Sequence, residues 1–500
     1  MGGLALTGLA LLGPVPRAAA QETYWPTHGW QRSSPESQGM DSRVLAEAFD
    51  YIRQRQIPIH SLTIVRNGYI VLDAYFWPFQ NRQVHDLASA TKSITATLVG
   101  IAIGGHKLTG VKQPLVPLFA QRTVANRDAK KNRITLEHLL TMTSGLNCVG
   151  SHEVTLAEML RSRDWVQFML DRPMRDEPGS HYEYCSGGMH LLSAVVAQAT
   201  GENTLDFARR ELFGPLGIED VGWPADPHGI PHGWGDLRLQ PRDMAKIGYL
   251  WLHGGRWEGL QLVPADWMSA ATQVHSHPGL TSGQEYGYGF WIYPRRTPPI
   301  FEALGRGGQR ISVVPEQNLV VVFTGGTFEP GDIGNFIGRA IKSGRPLLED
   351  SAGTARLAAA IADATKPPAA HAVPAAPATA AAVSGKRFAL DTNPAGLASL
   401  SLTFPGGAEA RVSLELGGRV EQRPVGLDGV PRVSPDGRFG LPVAVSGAWE
   451  NGSTFVLTYD EVGNINAVRL RLTFSGSDVT VEMSERSGLM EAQLHGRANR

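Results

Sequence analysis

Ser89-Ala90-Thr91-Lys92 opens an apolar run, Ile94-Thr95-Ala96-Thr97-Leu98-Val99-Gly100-Ile101-Ala102-Ile103, that reads as a buried helix. Asp86, just ahead, is a capping residue for it, so Ser89 falls in the first turn. A spacing of three stacks Lys92 over Ser89 on one helix face. A serine hydroxyl is a poor nucleophile until a base takes its proton. An amine desolvated against an apolar helix favours the neutral form that can take it. Ser and Lys three apart also occur by chance, so this pattern gains its meaning from the rest of the chain.

Working outward, Ser61-Leu62-Thr63-Ile64-Val65-Arg66 and Tyr69-Ile70-Val71-Leu72-Asp73-Ala74-Tyr75-Phe76 are strand-like, and Asn67-Gly68 between them is a hairpin turn. Downstream, Ile134 to Leu140 reads as a helix capped by Thr135. Leu192, Val195, Val196 and Ala199 keep helical spacing up to Gly201, and Pro241 to His253 is a further helix closed by Gly254-Gly255. Ile311–Val314 and Leu319–Phe323 form a second hairpin around Pro315-Glu316-Gln317-Asn318, followed by a helix from Asp332 to Ile341. Strands at both ends with helices between them predict an α+β unit whose terminal strands share a sheet.

Five hundred residues exceed a single core, so more than one domain is expected. After Leu357 the composition shifts to alanine and proline, and residues 351–383 read as an extended, semi-rigid linker. From 384 to 500 the pattern is all β, with alternating runs such as Val468-Arg469-Leu470-Arg471-Leu472-Thr473-Phe474, which predicts a sandwich or barrel. That region shows no chemical constellation and reads as a structural or docking appendage.

Residues 1–20 read as a signal peptide. Leu4 to Leu12 is apolar but too short to span a bilayer, and Ala18-Ala19-Ala20 has the small-residue character of a cleavage site, although no Lys or Arg precedes the apolar segment. A periplasmic or secreted location follows as an expectation. It permits the two cysteines, Cys148 and Cys185, to pair as a disulfide or to stay as packed thiols. With 46 basic and 47 acidic residues intermixed, no basic patch points to nucleic acid, and no later segment reads as transmembrane. No His/Cys cluster or H-E-x-x-H implies a metal, and no glycine-rich strand-to-helix fingerprint implies a nucleotide, so no cofactor is expected. His85, His138 and Asp86 lack the nucleophile elbow of a Ser-His-Asp hydrolase around Ser89 and read as structural.

Three further stretches give Ser89 its context. Glu177-Pro178-Gly179-Ser180-His181-Tyr182-Glu183-Tyr184-Cys185-Ser186-Gly187-Gly188 precedes a helix starting near Met189. Leu304-Gly305-Arg306-Gly307-Gly308-Gln309-Arg310 enters a late strand, and Thr135 to Leu146 precedes both. Together with S-x-x-K, these blocks over about residues 30 to 345 resemble the class C β-lactamase and family VIII esterase superfamily, in the branch of nylon-oligomer hydrolases. The resemblance implies a β-lactamase/transpeptidase-like fold over residues 21–350, an antiparallel sheet flanked by helices with a helical subdomain.

It also implies site residues: Ser89 as nucleophile, with Lys92 and Tyr184 of Tyr184-Cys185-Ser186 sharing protons with it. Ser186, Gly305, Arg306, Gly307, Gly308 and Gln309 become candidates for binding substrate and oxyanion. Gly305 stands where the family carries Lys or His; Arg306 either replaces that cation or points away.

The implied function is an exported serine hydrolase acting on a small ester, amide or peptide-like substrate through an acyl-enzyme. A β-lactamase or D-alanyl-D-alanine peptidase acting on cell-wall material is the alternative within the same chemistry, and an inactive scaffold with a binding role the alternative outside it. The oligomeric state is left open.

Overall fold

The computed structural model describes residues 24–498 apart from 151, 152, 394, 436 and 489, so the expected signal peptide lies outside the described residues. Helix α1 (Ser42–Arg55) starts at Asp41, whose carboxylate accepts from the Arg43 and Val44 amides, and leads into strands β1 (Ile59–Arg66) and β2 (Tyr69–Tyr75). Asn67 and Gly68 both take positive φ (51° and 84°), as a two-residue hairpin turn requires.

After the site helix α2 (Thr91–Gly104) come α3 (Leu136–Leu140), α4 (Ser186–Thr200) and α5 (Pro241–Leu252). Strands β3 (Glu285–Tyr286), β4 (Trp291–Tyr293), β5 (Ile300–Gly305), β6 (Gln309–Val314) and β7 (Leu319–Gly325) follow, then α6 (Gly331–Ala340).

The seven strands form one sheet in the order β2-β1-β7-β6-β5-β4-β3, and the terminal strands do share it: Leu62 pairs with Phe323 and Ile64 with Val321. Period-two alternation sends side chains of one strand into two cores. Along β7, Val320 and Val322 pack in the large core with α2, α4 and α5. Val321 and Phe323 pack on the other face against α1 and α6, where Leu45, Phe49, Ile333 and Ile337 meet them. Both faces of the central strands are covered, which is why their sequences are continuous apolar runs.

The expected linker is corrected at its start. Residues 351–364 form helix α7 (Ser351–Ala364), capped by Asp350, and its buried Leu357 packs in the core that α1 lines. This stretch is rich in alanine and free of proline, and alanine is the strongest helix former. The extended stretch covers residues 366–377, where the prolines lie, before the short helix α8 (Ala378–Val383).

The C-terminal region is a barrel. Its strands are β8 (Arg387–Leu390), β9 (Leu397–Thr403), β10 (Glu409–Leu416), β11 (Arg419–Gly426) and β12 (Arg432–Ser434), then β13 (Val443–Trp449), β14 (Thr454–Glu461), β15 (Ala467–Ser475), β16 (Asp478–Glu485) and β17 (Glu491–Ala498). They run β11-β10-β9-β8-β17-β16-β15-β14-β13-β12, and a Gly426–Ser446 pairing closes β11 on β13. Among the described residues no helix is long and apolar enough to cross a membrane.

Candidate active site

Ser89 sits in a single 3₁₀ turn, Ala88–Ala90, that runs directly into α2. The residue before it, Ala88, is held at a φ of 44°, a left-handed conformation that costs a non-glycine residue about 1–3 kcal/mol and that surrounding contacts must enforce. They do: the Ala88 amide donates to Asp86 Oδ1 at 2.8 Å, and the Asp86 amide donates to the carbonyl of Gly463 in the barrel at 2.9 Å. Asp86 is therefore not the helix cap expected from sequence: the cap positions are Leu87 for the turn and Ala90 for α2, and the Asp86 carboxylate fixes Ala88 instead.

Lys92 is 1% exposed, while Ser89 is half-buried and reachable. The lysine Nζ lies 2.9 Å from Ser89 Oγ and donates to the Trp234 carbonyl, also at 2.9 Å. It also lies 4.7 Å from the centroid of the Tyr184 ring, over its face. Residues 233–237 are stitched to α2: Thr95 Oγ1 donates to Gly233 O at 2.8 Å, and the Leu237 amide donates to Thr91 Oγ1. Gly233 tolerates no side chain, since a Cβ would fall 2.1 Å from the Met189 carbonyl.

Tyr184 arrives on the loop before α4. The Glu183 amide donates to Met142 O, and Cys185 is joined to Cys148 in a disulfide with Cα atoms 5.8 Å apart. The Tyr184 ring stacks with Trp291 at 6.3 Å. Ser186, expected near substrate, is buried in the first turn of α4, and its hydroxyl donates to Glu153 Oε1 at 3.0 Å.

The Gly305–Gln309 stretch joins β5 to β6 and lies against the nucleophile turn. A Cβ on Gly305 would fall 2.2 Å from Leu87 O and 3.2 Å from Ala88 Cβ, so only glycine lets this backbone approach. Gly307 and Gly308 take φ of 81° and 95°. Gln309 is fully buried, and its side-chain amide accepts from the Gly325 amide (3.1 Å) and donates to the Gly325 carbonyl (2.7 Å), fixing the turn to β7. Arg306 resolves the alternative left open by sequence: it points away from Ser89 into the barrel, donating to Asn466 Oδ1 at 2.9 Å and to Ser487 Oγ. Ile465 of the barrel packs where a Gly307 side chain would stand.

Two carboxylates flank the site, Asp86 buried and Asp236 partly exposed. Burial and the neighbouring Asp236 push the Asp86 carboxyl up to about 7, despite its Ala88 amide and the Arg238 and Arg306 guanidiniums. For Asp236, burial acts upward, but its bond to His232 and the charges of His232, Arg238 and Lys92 outweigh it and hold the carboxyl below its usual range. His85 bonds His60 at 2.8 Å, and burial holds its imidazole down at about 4; His138 accepts from the Thr135 amide in the cap of α3. These histidines are structural, as expected.

Sequence reading missed Trp234, Asp236 and the barrel residues Gly463 and Ile465. Trp234 and Gly463 act through carbonyl oxygens, which every residue type offers, so residue identity carries no signal for them.

Residues 36–342 match the Beta-lactamase family model, more than half of the chain. An uncharacterized protein of Alkalihalophilus pseudofirmus is 24% identical over 58% of this chain and 90% of its own length. Esterase EstB of Burkholderia gladioli is 28% identical over 33% of this chain and 45% of its own length. The 6-aminohexanoate-dimer hydrolase of Paenarthrobacter ureafaciens is 21% identical over 44% of this chain and 58% of its own length. The chain therefore spans about half the length of these two named enzymes. In fold it is similar to a putative 6-aminohexanoate-dimer hydrolase from Bacillus anthracis, with a TM-score of 0.52 at 18% identity over 62% of this chain and 85% of that one. The match over residues 36–342 places this chain in the beta-lactamase family, as a serine hydrolase with esterase and aminopeptidase relatives.

Proposed function

We propose that the chain hydrolyses an ester or amide bond of a small or peptide-like substrate through an acyl-enzyme on Ser89. The observation that carries this reading is the 2.9 Å contact between Lys92 Nζ and Ser89 Oγ in a buried setting, which joins the two heavy atoms whichever of them holds the proton. Ser89 Oγ attacks the carbonyl carbon as its proton passes to Lys92. The bond to the leaving group breaks, and Lys92 with Tyr184 returns a proton to the departing oxygen or nitrogen. The same pair then activates water against the acyl-enzyme. Backbone N–H groups of Ser89 and of the Gly307–Gln309 stretch hold the oxyanion, each such donor being worth roughly 10²–10³ in rate.

With Arg306 engaged by the barrel, the turn offers glycine backbone rather than a cation. That favours uncharged esters and amides over carboxylate-bearing β-lactams. A periplasmic or secreted location belongs to the same reading, supported by the pattern of residues 1–20 and by the Cys148–Cys185 bridge.

The test is labelling with a fluorophosphonate, with mapping of the adduct, beside hydrolysis assays on a p-nitrophenyl ester, a linear amide, a D-amino-acid peptide and nitrocefin. The adduct is expected on Ser89, and the ester or the linear amide is expected to turn over fastest. Tyr184→Phe is expected to lose about 10²–10⁴ in rate as a general acid–base group. Activity retained within about tenfold in Ser89→Ala overturns the assignment.

A further inference from the structure

We propose that the C-terminal barrel carries a ligand site of its own, for an uncharged amphiphile with an alkyl tail and an amide, ester or hydroxyl head. Side chains alternate along the barrel strands, and the inward rows are filled unevenly. At one end Leu400, Val412, Phe455, Leu472 and Val481 are nearly or fully buried and pack the interior solid. Toward the other end the same rows continue as Tyr459 and Glu461 on β14, Val468 and Leu470 on β15, and Met483 and Glu485 on β16. There they surround a cavity of about 390 Å³. Ligand sites span roughly 300–1,000 Å³, so the space suits one small molecule.

Leu397, Leu414 and Met490 complete an apolar wall, and Ala395 lies at its rim. The exposed Leu416 and Val420, at the β10–β11 turn, mark the same end of the barrel as open.

The polar lining selects the head group. Each charge of the lining already has partners: Glu461 pairs at 3.1 Å with Arg438, which also lines the cavity, and accepts from Asn464 at 2.8 Å. Glu421 accepts from the Tyr459 hydroxyl at 3.0 Å and pairs with Arg423 at 3.3 Å. Glu485 accepts from the Ser487 amide at 2.9 Å and faces Arg306 at 3.9 Å. A charged head entering here brings a charge without a counter-charge into a half-dry space, which is costly. A neutral head instead exchanges hydrogen bonds with Tyr459, Asn466 and the carboxylate edges. The site abuts the catalytic region, because Asn466 and Glu485 in its lining are also partners of Arg306.

The experiment uses the full chain and the neutral fluorophore N-phenyl-1-naphthylamine. Saturable one-to-one binding is expected, unchanged in Ser89→Ala, and displaced by octanamide at much lower concentration than by octanoate or octylammonium. Ala395→Trp, which fills the rim, is expected to weaken binding on the order of tenfold or more. A diazirine-bearing octanamide, photolysed on the unmodified chain, is expected to mark peptides within residues 395–490, which makes the result independent of whether Ala395→Trp folds. Absence of saturable binding, equal displacement by the charged probes, or photolabel confined to residues 24–345 overturns the proposal.

Discussion

The two halves of the site are built on opposite principles. Ser89 and Lys92 are three residues apart at a helix start, and one turn of backbone brings them together. The Gly305–Gln309 turn is held in place by distant partners: Leu87 beneath it, Gly325 beside it, and Ile465 and Asn466 of the barrel above it. The difference separates two properties of one site. The proposed proton removal is local to α2 and its immediate neighbours. The placement of the turn proposed to receive the substrate oxygen depends on the rest of the molecule, including a region to which no reacting group is assigned.

Replacing Lys92 strikes the local half. Lys92→Met is expected to cut kcat by about 10²–10⁴, the usual range for loss of a general base, with the p-nitrophenyl ester as readout. A loss below about tenfold would show that proton removal is not confined to this helix face.

The disulfide holds the Tyr184 loop between the two halves. The bridged residues are 37 apart in sequence, and removing both sulfurs in a Cys148→Ser, Cys185→Ser chain is expected to cost about 3–4 kcal/mol of stability in denaturant titration.

Arg306→Ala tests the remote half. Loss of its charged hydrogen bonds to the barrel is expected to lower kcat by roughly tenfold with little change in KM, on the scale of about 1.5 kcal/mol for such a bond. An unchanged kcat would mean that the glycine turn holds its shape without the barrel.

A pH-dependent effect concerns Asp86, which links the halves by holding Ala88. Its folded-state pKa of about 7 lies above the ordinary carboxylate value of 3.8. Between those values the unfolded chain ionises while the folded chain keeps its proton, so this group lowers stability as pH rises from about 4 to 7 and adds no further change above that. Asp86→Asn keeps an oxygen for the Ala88 amide and removes the titration. Its melting temperature relative to the parent is expected to rise across that window and level off above it, which thermal melts at several pH values would show.

Legibility in the sequence follows the same division. Ser89 with Lys92, the Asn67-Gly68 hairpin and the cap of α3 were readable because each is settled within a few residues. Tyr184 was readable through its flanking blocks rather than by chemistry. The partner of Ser186, Glu153, was not readable, because it lies on another segment whose approach no local pattern announces. Arg306 stayed ambiguous until the barrel supplied Asn466. The linker was drawn too early because alanine is shared by helices and by alanine/proline spacers; the prolines after Thr365 mark the true change.

Strand β1 pairs with β2, which follows at once, and with β7, which is made more than half a chain later. During synthesis the hairpin therefore waits with one apolar edge unsatisfied until residues 319–325 emerge. Closing so long a loop costs entropy before any contact rewards it, so the catalytic unit is a slow, late folder of high contact order. A nascent chain stopped between Lys92 and Leu319 has Ser89 and Lys92 in hand but lacks the strand that joins β1 and β2 to the rest of the sheet.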